Sequence, residues 1–170
     1  MKSFFIDLLL SLSLLAQAAD NIQVYFSPEG GCAEAIVDNL TRARVSVLVQ
    51  AFSFTSAPIA KALVEAKKRG VNVQVILDKS NRTEEYSSAD FVQRASIPTY
   101  IDAKHSIAHT KVIVIDGRTV LTGSFNFTKA AESSNAENLL VIQDVELAKK
   151  YTVNWLAHLK YSESYIGRPN

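Results

Sequence analysis

The stretch IAHTKVIVIDGRTVLTGSFNFT, Ile107 to Thr128, has the apolar skeleton of two buried strands joined by a tight turn at Asp116-Gly117-Arg118. Polar groups are costly inside such a hairpin unless they are partnered. Yet it carries His109, Lys111, Asp116, Ser124 and Asn126.

Strand side chains alternate faces, so His109, Lys111, Ile113 and Ile115 share one face and Val112, Val114 and Asp116 the other. Ser124 and Asn126 share parity at the far end of the returning strand. The start of one hairpin strand lies beside the end of its partner. His109 and Lys111 can therefore meet Ser124 and Asn126 at the open end, with Gly123 leaving room for close approach. Together these groups suit a phosphate: Lys111 brings charge, Ser124 and Asn126 bring hydrogen bonds, and an imidazole can attack phosphorus or move a proton. Asp116 has the other parity and stands at the turn, where it is expected to hold the turn or pair with a cation away from substrate.

The 170 residues fit one domain with its own core. A formal net charge of +1 leaves any pull on an acidic ligand to local clusters. Residues 1–19 stand apart. In MKSFFIDLLLSLSLLAQAAD, Lys2 precedes an apolar run that is too short to span a bilayer, and Ala16-Gln17-Ala18 follows as a cleavage pattern. This reads as a secretory signal, cut after Ala18 or Ala19, on a domain of residues 20–170 that is periplasmic or extracellular. An uncleaved anchor or an amphipathic helix is the other reading. Cys32 is the only cysteine, which excludes an internal disulfide and a cysteine zinc site; it is expected to be a small buried side chain, with an intermolecular thiol as the other reading.

Strands are expected at Ile22–Phe26, Val45–Phe54 and Val71–Leu77, with helices from Cys32 to Ala43 and from Ser56 to Gly70 between them. Asp78 to Asp90 is a polar loop leading to a short helix, followed by a short strand, IPTYID, and then the hairpin. NAENLLVIQD gives one more strand, VELAKKYTVNWLAHLKY a last amphipathic helix, and Ser162 to Asn170 a frayed tail. Alternating strands and helices predict an α/β fold: a mixed, largely parallel sheet flanked by helices on both faces.

His109-Thr110-Lys111, then Asp116 after four residues, then Gly123-Ser124-x-Asn126, resembles the H-x-K-x4-D-x6-G-S-x-N signature of the phospholipase D superfamily. YFSPEGG, AFSFTSAPIAKALVEAKKRGVNVQVILD and GSFNFTKAAESSNAENLLVI also look like the small secreted bacterial nucleases of that superfamily. The resemblance implies attack on a phosphodiester by a histidine, a phosphohistidine intermediate, protonation of the leaving oxygen by a second motif's histidine, and release by water. This chain has one motif, so two identical chains would share one site about a twofold axis, as a homodimer. Position by position, His109 would be nucleophile in one subunit and acid in the other. Lys111 and Asn126 would bind phosphate oxygens with help from Ser124, and Glu137 would orient the imidazole.

Competing readings start from the same residues. His105 and His109 are four apart, a spacing that can hold a metal on a helix; here it falls on loop and strand with no third ligand in evidence. No metal and no cofactor is expected. His158, near Trp155, is expected to be a packing residue. Lys61, Lys79, Arg82, Lys104 and Lys129 could line a groove for a polyanion. The expected activity is a metal-independent, sequence-tolerant endonuclease acting on DNA, and on RNA by the same chemistry. One alternative is a phospholipase D cleaving phospholipid headgroups. Another, of a different class, is a nucleic-acid-binding module without turnover.

Overall fold

A computed structural model describes residues 21–168 and places the hairpin at the middle of one eight-stranded sheet. The signal segment expected over residues 1–19 lies outside the described residues. In chain order the strands are β1 (Ile22–Ser27), β2 (Ser46–Ala51), β3 (Asn72–Asp78), β4 (Thr99–Asp102), β5 (Lys111–Ile115), β6 (Thr119–Gly123), β7 (Glu137–Gln143) and β8 (Ser162–Ser164). Their order across the sheet is β1-β7-β6-β5-β2-β3-β4-β8.

The sheet is mostly antiparallel, which corrects the expectation of a largely parallel one. Only β2–β3 and β3–β4 run parallel. β1–β7, β2–β5, β4–β8, β5–β6 and β6–β7 are antiparallel. A parallel pair needs a long crossover, whereas short links force strands to reverse. The helix α2 (Ala57–Lys68) supplies the β2–β3 crossover, and a 3-10 turn (Lys79–Arg82) with α3 (Ala89–Arg94) supplies the next. The β5–β6 link is a tight turn, whereas α4 (Lys129–Ser133) lies in the longer connection from β6 to its antiparallel neighbour β7. The helix α1 (Cys32–Arg42) follows β1, but β1 crosses to the far edge and pairs with β7 instead of lying beside β2.

α2 shows how local sequence sets these elements. Ser56 precedes it, Pro58 occupies its first turn, and Ile59, Ala60, Leu63 and Ala66 make its buried stripe. Gly70 ends it with φ +89°, a conformation costly for any residue with a Cβ. Arg69 donates to the Leu40 carbonyl at 2.8 Å, which joins the end of α2 to α1.

β5 is buried along its whole length and has two apolar faces. Ile113 and Ile115 join the main core with the buried stripes of α1 and α2. Val112 and Val114 pack with Leu48, Val120, Ala148 and Tyr151 beneath α5 (Val145–Leu159). Trp155 of α5 donates its indole N–H to the Val49 carbonyl at 2.9 Å. Cys32 is fully buried, and burial together with the Glu132 charge pushes its thiol up to about 11, so it serves as packing.

From Ser162 to Arg168 the C-terminal segment is not a frayed tail. β8 pairs with β4, Tyr165 is buried, and its hydroxyl donates to Asp90 at 2.7 Å. Arg168 donates to the same carboxylate at 2.8 Å. The edge of β4 offered free backbone groups, and a segment too polar to look like a strand took them.

Candidate active site

The ends of β2, β3 and β4, the start of β5, the end of β6 and the start of β7 lie along one margin of the sheet. Every polar residue singled out in the hairpin except Asp116 is found there. Lys111 is the first residue of β5, and His109 stands just before the strand. Val112 pairs with Thr122 and Gly123 pairs with Leu139, which carries Ser124 and Glu137 to the same margin. Ser124 to Asn126 have already left β6, so their positions come from the backbone beyond the ladder, not from strand parity.

His109 is exposed, and its ring lies against Phe52 with centroids 4.7 Å apart. Lys111 is buried; its Nζ donates to the His109 carbonyl at 3.0 Å and lies 5.0 Å from the centroid of the same Phe52 ring. Burial pulls the Lys111 ammonium below its ordinary value, and the Glu137 carboxylate opposes that. The Asn135 side chain donates to Glu137 at 3.2 Å. Among the described residues no hydrogen bond joins Glu137 to the His109 ring. Ser124 accepts the Asn138 amide at 3.1 Å. Asn126 keeps its Oδ1 buried without a partner among the described residues, a cost of about 1–3 kcal/mol in a site built only for stability.

Gly123 lets this margin close. A Cβ there would collide with the Asn138 carbonyl and stand 2.7 Å from Asn138 Oδ1. Phe125 and Phe127, on either side of Asn126, are buried in the main core and hold that turn down.

Asp116 lies at the opposite end of β5. It accepts the amides of Arg44 (3.0 Å), Val45 (2.7 Å) and Ser46 (2.9 Å), which ties the hairpin turn to the start of β2. Burial pushes its carboxyl up, but these amides outweigh burial and hold it below the usual carboxylate range. Asp116 and Gly117 both have positive φ within the link Asp116-Gly117-Arg118, and the Arg118 amide closes the turn on the Ile115 carbonyl at 3.1 Å.

Several supporting residues are not singled out by the sequence. Phe52 touches both His109 and Lys111, and its amide donates to the Thr110 carbonyl at 2.8 Å. Asn81, fully buried, donates to the Phe52 carbonyl at 2.6 Å. Asp78, also buried, accepts the Ala108 amide at 2.7 Å, one residue before His109. Glu132 accepts the Gly31 and Ala33 amides at the start of α1. The local signal for Asp78 is a carboxylate ending an apolar strand; its partner depends on a loop thirty residues away.

His105 and His109 do not form a pair. His105 turns to Asp102, and His158 reaches the same carboxylate from α5, so His158 does more than pack. Of the expected basic groove, Arg82 is paired with Glu163. Lys79 donates to the His105 carbonyl, and Lys104 lies over the Tyr161 ring.

A family model described as cardiolipin synthase, PLD-like domain, matches residues 36–159. A phospholipase D from Rickettsia bellii is 45% identical over 136 residues, covering 80% of this chain and 68% of that protein. Among solved structures, the phospholipase D family member Nuc from Salmonella typhimurium superposes with a TM-score of 0.82 at 39% identity, covering 85% of this chain and 97% of that one. NucT from Helicobacter pylori superposes with a TM-score of 0.78 at 25% identity, covering 85% of this chain and 98% of that one.

Proposed function

Starting from a chain that belongs to the phospholipase D superfamily and is a hydrolase of that type, we propose that it is a metal-independent phosphodiesterase of nucleic acids. It is an endonuclease that cleaves DNA, and RNA by the same chemistry, as a homodimer with one shared site. The observation that carries this reading is an exposed His109 with buried Lys111 behind it, in a chain with a single copy of the motif.

In the proposed reaction His109 of one subunit attacks phosphorus, and the bond to the leaving oxygen breaks. His109 of the partner subunit gives that oxygen a proton. The partner's His109 then takes a proton from water, the water oxygen attacks phosphorus, and the phosphorus–nitrogen bond breaks. Lys111, Ser124 and the Asn126 amide hold phosphate oxygens, and their charge and hydrogen bonds stand where other phosphodiesterases use a metal. Glu137 supports the Lys111 ammonium through its charge, and Asp116 and Gly123 support the hairpin.

An uncovered apolar face supports the dimer. α5 contacts β2, β5 and β6, whereas Ile22, Val24 and Phe26 of edge strand β1 are 58%, 51% and 63% exposed on that side of the sheet. Val153 and Leu156 of α5 are exposed as well. A second copy covering this face would remove apolar area from water. Residues 1–19 act as a secretory signal in this reading.

Subunit mixing tests the shared site. Wild type and His109→Ala are unfolded together in equal amounts and refolded, with a mass tag confirming exchange. Random pairing leaves about one quarter wild-type dimers, so activity falls to about one quarter of an all-wild-type sample. Independent sites would leave about one half and overturn the shared site. Cleavage in excess EDTA, assayed below the unfolding temperature of the chelated protein, tests the metal-free chemistry. Complete loss of activity, restored by a divalent ion, would refute it.

The similarity to the Rickettsia bellii phospholipase D favours a second reading, hydrolysis of phospholipid headgroups. Plasmid DNA and phosphatidylcholine vesicles assayed side by side separate the two. Turnover of the lipid alone refutes the nuclease.

A further inference from the structure

β4 ends on Asp102, whose side chain is fully buried. Its Oδ2 lies 2.9 Å from Nδ1 of His105, on the following loop, and 2.8 Å from Nδ1 of His158, which comes from α5 and is 56 residues away in sequence. Its Oδ1 accepts the amides of Lys104 at 3.2 Å and His105 at 3.4 Å, and lies 3.0 Å from the His105 ring nitrogen. The two imidazole centroids are 4.9 Å apart. One carboxylate oxygen and two imidazole nitrogens thus lie within 4.8 Å of one another.

We propose that Asp102, His105 and His158 bind a divalent transition-metal ion of the zinc class, which fastens α5 to the loop that carries His109. Two imidazoles and one carboxylate form the nitrogen and oxygen donor set that zinc takes in tetrahedral sites, with water as a fourth ligand. Metal–ligand bonds of about 2.0–2.2 Å require the three donor atoms to sit slightly further apart than they do across hydrogen bonds. The His105 side chain can supply that movement, because it is 41% exposed while Asp102 is closed off. The same exposure opens the fourth position to solvent.

The protonation balance is simple. When Nδ1 of a neutral ring donates to Asp102, its Nε2 is bare. Binding moves each ring proton from Nδ1 to Nε2, so both imidazoles stay neutral and Asp102 keeps its charge. The backbone amides on Oδ1 stay in place and hold the carboxylate in orientation, the outer support that metal-ligating carboxylates require.

The location gives the ion a structural consequence. Asp102 and Asp78 are register partners on β4 and β3. Asp78 already holds the far end of the loop through the Ala108 amide, next to His109. The ion would hold the near end, so both ends of the segment that presents His109 would be anchored. This proposal does not depend on the phosphoryl-transfer reading: activity in EDTA tests that reading, and metal uptake tests this one.

The test uses the full chain after exhaustive chelation. Zinc is titrated by calorimetry, and cobalt(II) is followed by its visible absorption. The expected results are saturable uptake of one ion per chain, the intense visible bands of tetrahedral cobalt, and a higher unfolding temperature with zinc. His158→Gln and His105→Gln should each abolish uptake, whereas His109→Ala should leave it intact. If circular dichroism shows that His158→Gln does not fold, the exposed His105 position decides. Absence of saturable uptake in the wild type, or uptake that survives His105→Gln unchanged, overturns the site and leaves a carboxylate bridged by two protons.

Discussion

Asp116 and His109 stand at opposite ends of β5: His109 precedes the strand at the open margin, and Asp116 follows it at the closed turn. Two polar residues of one short motif therefore have separate physical tasks. His109 faces solvent against Phe52, and Asp116 binds the backbone where β2 begins.

Asp116→Asn should lower stability by about 1–3 kcal/mol, the range for losing charge-assisted hydrogen bonds, with the turnover of folded protein retained. Asn tolerates the positive φ at this position, so the change tests charge and not turn strain. The carboxyl is held below its ordinary value in the folded state, so its contribution is fully present above about pH 3.9 and is lost as pH falls from there through the folded value. Urea unfolding at neutral pH and near pH 3 should show the difference between wild type and variant shrinking in acid. A well-folded variant without activity would place Asp116 in the reaction.

His109→Ala should reduce turnover by at least about 10³-fold and leave the unfolding temperature near that of wild type. The side chain is exposed, so little packing is removed. Single-turnover assays together with calorimetry check both halves. A fully active variant would remove the proposed mechanism.

Lys111 should produce an alkaline limit to activity. Burial lowers its pKa and Glu137 raises it, with burial the larger effect, so the charged form is lost as pH rises through a value below the ordinary lysine figure of about 10.4. The rate should fall in that range, and Glu137→Gln should move the fall to lower pH. A limb that Glu137→Gln leaves in place, or moves upward, would show that Lys111 does not set it.

Gly123→Ala should destabilise the protein by at least about 2 kcal/mol, because the new methyl group meets the Asn138 backbone at the β6–β7 seam. Denaturant unfolding measures it. A neutral outcome would mean that the two strands separate at this end without cost.

Much of the site was legible in order along the chain. The spacing of His109, Lys111, Asp116 and Gly123 specified a hairpin with a polar open end, because turn chemistry and hairpin pairing are local properties, while Ser124 and Asn126 reach that end through backbone beyond β6. Helix limits such as those of α2 were local as well, set by Ser56, Pro58 and Gly70. Strand direction was not. Alternating strands and helices suit a parallel sheet, and nothing near Ile22 says that β1 will run antiparallel beside β7 at the far edge. That choice depends on which edge is vacant once the other strands have paired. The same holds for β8, whose polar residues carry little strand signal and whose place is set by the free edge of β4. The supports of the site were hidden for a related reason. Asp78 finds the Ala108 amide, and Asp102 finds His105 and His158, only after the sheet has set β3 beside β4 and α5 has packed against β4. Hydrogen-bond partners distant in sequence are products of packing. The residues proposed to do chemistry were therefore readable from the chain, while the groups that hold them still were decided by the tertiary structure.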